Sequence, residues 1–348
     1  MYKYIDVKNQ IKAYIKTLED DAKLPSYSKI AKLYNISDTT VRKALNELLK
    51  EQLIYCVSKK GIYKAKPKRV FHDVSVVVDS LYGKFLSSDS LFPWIIGHIE
   101  KRLRENDMDM LLSCFGDDFE FERSVITKLI DRKPYGAVVS PSGNRDNFDI
   151  YEKAVETIDN FIFLDRNIDS INAHYVGTDS YSLAYKMAKP LQNEDYDKIF
   201  IFVAYYQRAL NSEYERLAGY NDALKGAKCQ NVKKFYDTSL NAKTMFENVI
   251  KPYFEDEFKK GYKRIAFLCI NTEVIEMLYN YFRDDIKKLD FCKVILFDKP
   301  PIEIEKNTSV VWGWQNVETI SKKVLEILKE KPEKKQKIYI PGEIRYED

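Results

Sequence analysis

The sequence predicts an α/β protein in two parts, an N-terminal winged helix-turn-helix followed by a two-lobed body built on parallel sheets. Three observations carry this expectation. Residues 24–65 place two short amphipathic helices before a β-rich hairpin. Beyond residue 72, apolar strands without period-two alternation are separated by helical patterns, which marks parallel sheet covered on both faces. These strands are too many for one comfortable open sheet, so two α/β lobes are expected. The expected boundaries are 1–66 for the head, 67–71 for a linker and 72–348 for the body.

In the head, Val7, Ile11, Tyr14, Ile15 and Leu18 form the apolar stripe of a first helix. Ile30, Ala31, Leu33 and Tyr34 form a second, shorter stripe. Across the tight link Asn35-Ile36-Ser37, Val41, Ala44, Leu45, Leu48 and Leu49 follow the i, i+3, i+4, i+7, i+8 pattern, with Ser37 as N-cap. The opposite face of this third helix carries Thr39, Arg42, Lys43 and Asn46. Runs 53–57 and 62–65, separated by Ser58-Lys59-Lys60-Gly61, read as a hairpin with a basic tip. Two helices meeting at a sharp turn, followed by such a wing, point to double-stranded DNA as partner. Charge agrees: residues 1–70 hold 16 Lys+Arg against 7 Asp+Glu, a net of +9, while the whole chain is +3, so the other 278 carry −6. A basic module on an acidic body fits a protein that meets phosphate with one end and a small molecule with the other.

Leu24-Pro25-Ser26, Ser37 through Arg42, Ala44-Leu45, Leu53-Ile54-Tyr55 and Gly61 resemble the DNA-binding domain of the GntR family of bacterial transcription regulators. The resemblance covers about forty residues and implies DNA contacts from Ser26, Ser37, Thr39, Thr40, Arg42, Lys43, Lys59, Lys60 and Gly61. Two positions depart from it. The family has arginine after the serine of the turn and a Glu-Arg pair after Leu-Pro-Ser, where this chain has Asp38 and Tyr27-Ser28. An operator differing from the family's common sequence is therefore expected.

The proline of Ala65-Lys66-Pro67-Lys68-Arg69 ends the wing and opens the linker. In the body, strands are expected at 74–78, 109–112, 137–140, 161–164, 199–204, 232–236, 265–270 and 294–297. Helices are expected at 92–104, 119–130, 151–158, 213–226, 244–259 and 274–287. Phe163-Leu164-Asp165-Arg166, Val176-Gly177-Thr178-Asp179, Arg216-Leu217-Ala218-Gly219-Tyr220, Ile270-Asn271-Thr272, Ile295-Leu296-Phe297-Asp298 and Gln315-Asn316 resemble, in order, the sugar-binding core of the LacI family and its periplasmic-binding-protein (type I) relatives. Thr272, Leu296 and Lys299 depart from that pattern. A GntR-type head on a LacI-type body is similar to the arabinose-repressor group. The resemblance implies a carbohydrate effector bound between two lobes by Asp165, Arg166, Arg216, Asn271, Asp298 and Gln315. Phe92, Trp94 and Trp314, with Trp312 beside it, are the candidate stacking groups. Strand ends are where ligands enter open α/β folds.

Other classes receive less support. No apolar run approaches the roughly 18 residues of a membrane span, and residues 1–6 are no signal peptide, so a cytoplasmic protein is expected. The five cysteines are widely spaced and mostly in apolar runs, which favours buried free thiols over disulfides or zinc. Asp117, Asp118, Glu120 and Glu122 cluster at a helix start, where carboxylates complement the dipole, so no metal is expected there. The chain has no GxGxxG, no GxxxxGK[ST] and no GxSxG, and His72, His98 and His174 lack a nucleophile partner, so neither cofactor nor catalysis is expected. The alternatives are a non-sugar effector such as a nucleobase, an activator in place of a repressor, and least of all an α/β enzyme. An inverted-repeat operator implies a homodimer.

Overall fold

The computed structural model describes residues 3–65, 72–79, 91–116, 118–204, 211–237, 242–270, 272–299 and 305–347. The linker expected at 67–71 lies outside these. The chain forms two compact units, Met1–Phe71 and His72–Asp348.

The first unit is a three-helix core with a wing. Helix α1 (Lys3–Lys16) packs on α3 (Asp38–Lys50), and α2 (Tyr27–Tyr34) joins α3 through a left-handed Asn35, a residue whose short polar side chain tolerates that backbone. The apolar stripe of α3 supplies Val41, Ala44, Leu45 and Leu48, all fully buried. They meet Val7, Ile11 and Ile15 of α1 and Ile30 of α2. Strands β1 (Ile54–Val57) and β2 (Gly61–Lys64) pair antiparallel, and Ile54 and Ile62 close the core from the wing.

The second unit has two lobes that exchange chain. In the first lobe, β3 (His72–Val78), α4 (Leu91–Arg104), β4 (Met108–Cys114), α5 (Phe119–Arg132), β5 (Gly136–Val139), α6 (Phe148–Thr157) and β6 (Phe161–Leu164) alternate as the hydropathy pattern predicts, and β7 (His174–Thr178), a strand outside that expectation, follows β6 directly. The chain then crosses to the second lobe at Asp179. That lobe contains α7 (Ser180–Ala188), β8 (Lys198–Ala204), α8 (Asn211–Ala223) and β9 (Val232–Asp237). Helix α9 (Ala242–Met245) runs through a π turn, Phe246–Ile250, into α10 (Lys251–Glu257). Strand β10 (Arg264–Cys269), α11 (Glu273–Ile286), β11 (Phe291–Phe297) and β12 (Thr308–Trp314) follow. A second crossing at Gln315 returns the chain to the first lobe for α12 (Val317–Glu330), which packs on α4, and for β13 (Lys337–Ile340). A third crossing sends β14 (Glu343–Glu347) to the second lobe as an antiparallel edge.

The resulting sheets are β13-β7-β6-β5-β3-β4 and β14-β12-β11-β10-β8-β9. All pairings except β12–β14 are parallel, and each sheet is buried on both faces. The two orders correspond position by position, so β6 matches β11 and β7 matches β12. His174 opens β7 with its Nδ1 accepting from the Gln336 amide (3.1 Å), which ties the returning chain to the sheet. Burial, with Lys335 and Lys337 nearby, lowers its pKa to about 4.

The thiols divide differently from the expectation. Cys229, Cys269 and Cys292 are buried, while Cys56 and Cys114 are exposed because their strands present one side to solvent; no disulfide is found among the described residues. The acidic cluster also divides. Asp118 caps α5 by accepting from the Phe121 amide (2.9 Å), as the dipole argument predicts, while Asp117 lies outside the described residues. Glu122, however, is fully buried and is a polar hub. Its Oε1 accepts from the Ser142 amide (2.8 Å) and Tyr151 Oη (2.6 Å), and its Oε2 from Ser142 Oγ (2.6 Å) and Asn147 Nδ2 (2.8 Å). Removing the acceptor strands four donors in a low-dielectric interior. Glu122→Ala should cost ~3 kcal/mol and lower Tm by roughly 5–10 °C in a thermal melt of the full chain. An unchanged Tm would show that water replaces the carboxylate.

Candidate functional site

In the head, capping accounts for two of the predicted DNA-facing hydroxyls. Ser26 Oγ accepts from the Lys29 amide (3.4 Å) to start α2, and Ser37 Oγ accepts from the Thr40 amide (3.2 Å) to start α3 while bonding Thr40 Oγ1 (2.9 Å). These contacts set the angle at which α3 leaves the turn. Thr39, Arg42 and Lys43 lie exposed on α3, opposite its buried stripe. Lys59 and Lys60 are exposed at the wing tip, with Gly61 opening β2. Tyr55 and Tyr63 stack on one face of the wing at 5.5 Å between centroids.

In the body, two carboxylates occupy equivalent places. Asp165 follows β6 and Asp298 follows β11, and both adopt left-handed backbone, with φ of 62° and 61°. Each extends its strand by one bond, Asp165 N to the Val176 carbonyl (2.9 Å) and Asp298 N to the Gly313 carbonyl (3.2 Å). Non-glycine residues in this conformation are strained by roughly 1 kcal/mol and concentrate at functional sites. For Asp165 the holding element is Tyr175, whose Oη donates to the Asp165 carbonyl (3.2 Å). The Tyr175 ring occupies the space a side chain at Gly177 would need, so the glycine of Val176-Gly177-Thr178-Asp179 has a steric cause.

Arg216 faces both carboxylates, and Arg166 lies beside Asp165. Arg216, on α8, is buried; its Nη1 donates to the Ile270 carbonyl (2.8 Å) and its guanidinium lies 3.9 Å from the Phe297 ring centroid. Burial of Arg216 requires α8 to approach α7 closely, and Gly219 permits this: a Cβ there would meet the Tyr181 carbonyl and Ala184. Arg166 donates through Nη1 to Asp79 Oδ2 (2.8 Å) and stacks over Phe92 at 5.5 Å. Burial pushes the Asp165 carboxyl up, against the opposing pull of Arg216 and Arg166. Burial likewise raises Asp298, opposed by Arg216 and by a hydrogen bond from Gln315. For Arg166, burial works against the charge, but Asp79 and Asp165 outweigh it and its pKa rises. Arg216 on the second lobe thus acts on Asp165 as well as on Asp298, and the two aspartates act on one another across the lobes.

Among the described residues, buried polar atoms with no hydrogen-bond partner include Asn167 Oδ1, beside Arg166, and Arg216 Nε on α8, with Ser140 Oγ after β5. Native interiors leave few such atoms, and open donors and acceptors beside strand ends and a helix are groups that a ligand can satisfy. The set suits a polyhydroxylated molecule, which both donates and accepts. Among the described residues no cluster suited to a metal ion is present.

Several predicted residues stand elsewhere. Trp94 is half exposed on α4 and has no described contact with this cluster. Trp314 packs edge-on against Trp312 at 5.8 Å beneath the Arg345 guanidinium at 4.6 Å, because β14 brings Arg345 across β12. Gln315 is fully engaged within the protein, accepting from Thr178 Oγ1 (2.7 Å) and donating to Asp298 Oδ1 (3.1 Å). It braces Asp298 from behind. Asn271 lies outside the described residues. Phe92 joins the cluster through Arg166. Asp79, Ser140, Asn167 and Asn211 were not anticipated, although Asp79 and Ser140 follow β3 and β5 as the strand-end rule would allow.

Head and body together define a class by fold: a winged helix-turn-helix head on a body with the two-lobed fold of LacI-type and periplasmic binding proteins. Residues 3–63 match the family model described as bacterial regulatory proteins, gntR family. The arabinose metabolism transcriptional repressor of Geobacillus stearothermophilus is 29% identical over 144 residues, 40% of this chain and 38% of the relative's own length. Its counterpart from Halalkalibacterium halodurans is 23% identical over 320 residues, 85% of this chain and 80% of the relative. The fold matches the Cra transcriptional dual regulator of Pseudomonas putida in complex with fructose 1-phosphate, with TM-score 0.63, 13% identity, and 79% of this chain and 98% of that one covered. It also matches a carbohydrate transporter solute binding protein from Agrobacterium radiobacter in complex with D-arabinose, with TM-score 0.59, 14% identity, and 79% and 94% covered. The chain thus carries a head that matches the gntR-family model on a body with the LacI-type, periplasmic-binding-protein-like fold.

Glu215 offers a pH signature of the cleft. Burial pushes its carboxyl up to about 7, with Asp179 and Asp169 adding and Asn211 and Arg216 opposing. Because the folded pKa exceeds the unfolded value of 4.5, this group's contribution is fully present below pH 4.5 and lost as pH rises through 7. Partial exposure screens the effect, leaving a loss of order 1 kcal/mol between pH 5 and 8. Glu215→Gln, neutral throughout, should flatten that part of a stability–pH curve measured by urea unfolding; an identical slope in both proteins would contradict the assignment.

Proposed function

We propose that this protein is a transcription repressor whose head binds operator DNA and whose body binds a small sugar between its lobes. The observation that carries the reading is the convergence of Asp165 and Arg166 from one lobe with Arg216 and Asp298 from the other, beside buried polar atoms that no described residue satisfies. The relatives named as arabinose metabolism repressors support the regulatory role over an enzymatic one. Support for DNA comes from the exposed Thr39, Arg42 and Lys43 on the recognition helix and from the basic wing tip. Operators of this type are inverted repeats, so the working form is a homodimer, read as cytoplasmic. No helix among the described residues is long and apolar enough to cross a membrane.

In mechanism, the ligand's hydroxyls donate to the Asp165 and Asp298 carboxylates and accept from Arg216. Because the two aspartates belong to different lobes, ligand bridging them favours one lobe arrangement over another. Operator affinity then changes by no more than the ligand's differential affinity for the two arrangements.

Calorimetry with a panel of free aldoses, L-arabinose and D-arabinose among them, tests the reading. Arg216→Ala and Asp298→Ala should each weaken the bound sugar by roughly 10- to 150-fold, the loss of a charged hydrogen-bond partner. Operator binding without sugar should barely change. Wild-type sugar affinity in both variants would sink the pocket assignment, and operator binding lost without sugar would show that these residues hold the fold or the dimer instead.

A further inference from the structure

We infer that Tyr27 is a positioning residue for DNA recognition: its ring is the platform that holds the Arg42 guanidinium away from Asp38 and free to engage DNA. This rests on the DNA-binding reading of the head. Tyr27 is the first residue of α2, directly after its Ser26 cap, and half of it is buried against the head core. Arg42 is exposed on α3, and its guanidinium carbon lies 5.2 Å from the centre of the Tyr27 ring.

The alternative partner for Arg42 stands on its own helix. Asp38 is four residues earlier, the spacing at which an acid and a base meet on one helical face. Such a pair would occupy the arginine fork and neutralise the charge that DNA phosphate or a guanine edge requires. No ion pair joins Asp38 and Arg42 in the structure, and Arg42 lies over the Tyr27 ring instead. A guanidinium held over an aromatic face keeps its N–H groups available around its edge, because the ring contacts the π face and takes no donor. Tyr27 is fixed by its place in the core, so it also limits the conformations that Arg42 must lose on binding. Asp38 and Tyr27, the two departures from the resembled head, thereby compensate one another: the acid that would quench the arginine is accompanied by the ring that keeps it apart.

The test uses the full-length protein and duplexes selected by the wild type from a random-sequence pool, with affinity read by fluorescence anisotropy over a salt series. Tyr27→Leu should weaken binding about two- to five-fold, the range of an exposed cation–π contact, while Tyr27→Phe keeps affinity within about two-fold of wild type. Arg42→Ala should lower the salt slope by about one unit, and adding Tyr27→Leu to it should cause no further loss. Asp38→Ala should restore much of the affinity lost in Tyr27→Leu. An equal Tyr27→Leu loss with and without Arg42 would overturn the inference, since that is what loosening of the core alone produces, and so would a Tyr27→Phe loss matching that of leucine. If no duplex is enriched by the wild type, the DNA-binding reading fails first and the inference with it.

Discussion

The body depends on Arg216 facing two strained carboxylates, with Arg166 beside one of them. Asp165 and Asp298 end equivalent strands in equivalent left-handed backbone, one from each lobe, and burial raises both pKa values. Isolated carboxylates in such a place would give up their charge. Arg216 opposes this for both, from the shelf of the Phe297 ring, and Arg166 does so for Asp165 while held by Asp79 and Phe92. The surrounding parts follow from the need to hold these groups: Tyr175 and Gly177 fix Asp165, Gln315 and Thr178 fix Asp298, and Gly219 lets α8 pack tightly enough to bury Arg216.

Gln315 links the cleft to the hinge. It sits where the chain leaves β12 for the first lobe, and it spans from Thr178, at the end of β7, to Asp298. A change in the hydrogen bonding of Asp298 therefore acts on a residue in one crossing and on the start of another. That is a physical route from Asp298 to lobe geometry, with a defined two-ended amide as its middle member.

Much of the site was legible because its chemistry sits at strand ends and helix starts. Asp165 and Asp298 lie near one another because a parallel sheet presents all its strand ends on one edge, while Arg166 follows Asp165 and Arg216 comes from α8. The tryptophans were not legible in the same way. Period-two alternation places Trp312 and Trp314 on one face of β12, but which neighbour covers them depends on β14, a strand 29 residues later that pairs across the lobe. Glu122 is the clearest misreading. Its position in the first turn of α5 satisfies a dipole argument, yet its burial and four donors come from residues 142–151, beyond reach of any local pattern.

Local signals by themselves determined the head, its caps and its turn, because a helix stripe, an N-cap serine and a left-handed asparagine act within a few residues of one another. They also determined that the body alternates strand and helix in two lobes. Only the tertiary structure decided how the lobes share the chain. The crossings at Asp179, Gln315 and Gly342 depend on pairings such as Tyr175 with Lys337 and Trp312 with Arg345, whose partners are 162 and 33 residues apart. The same long-range packing decided which polar atoms of the described residues lie buried. Neither is encoded in a window of sequence, because both arise from the meeting of two surfaces that the chain builds separately and then brings face to face.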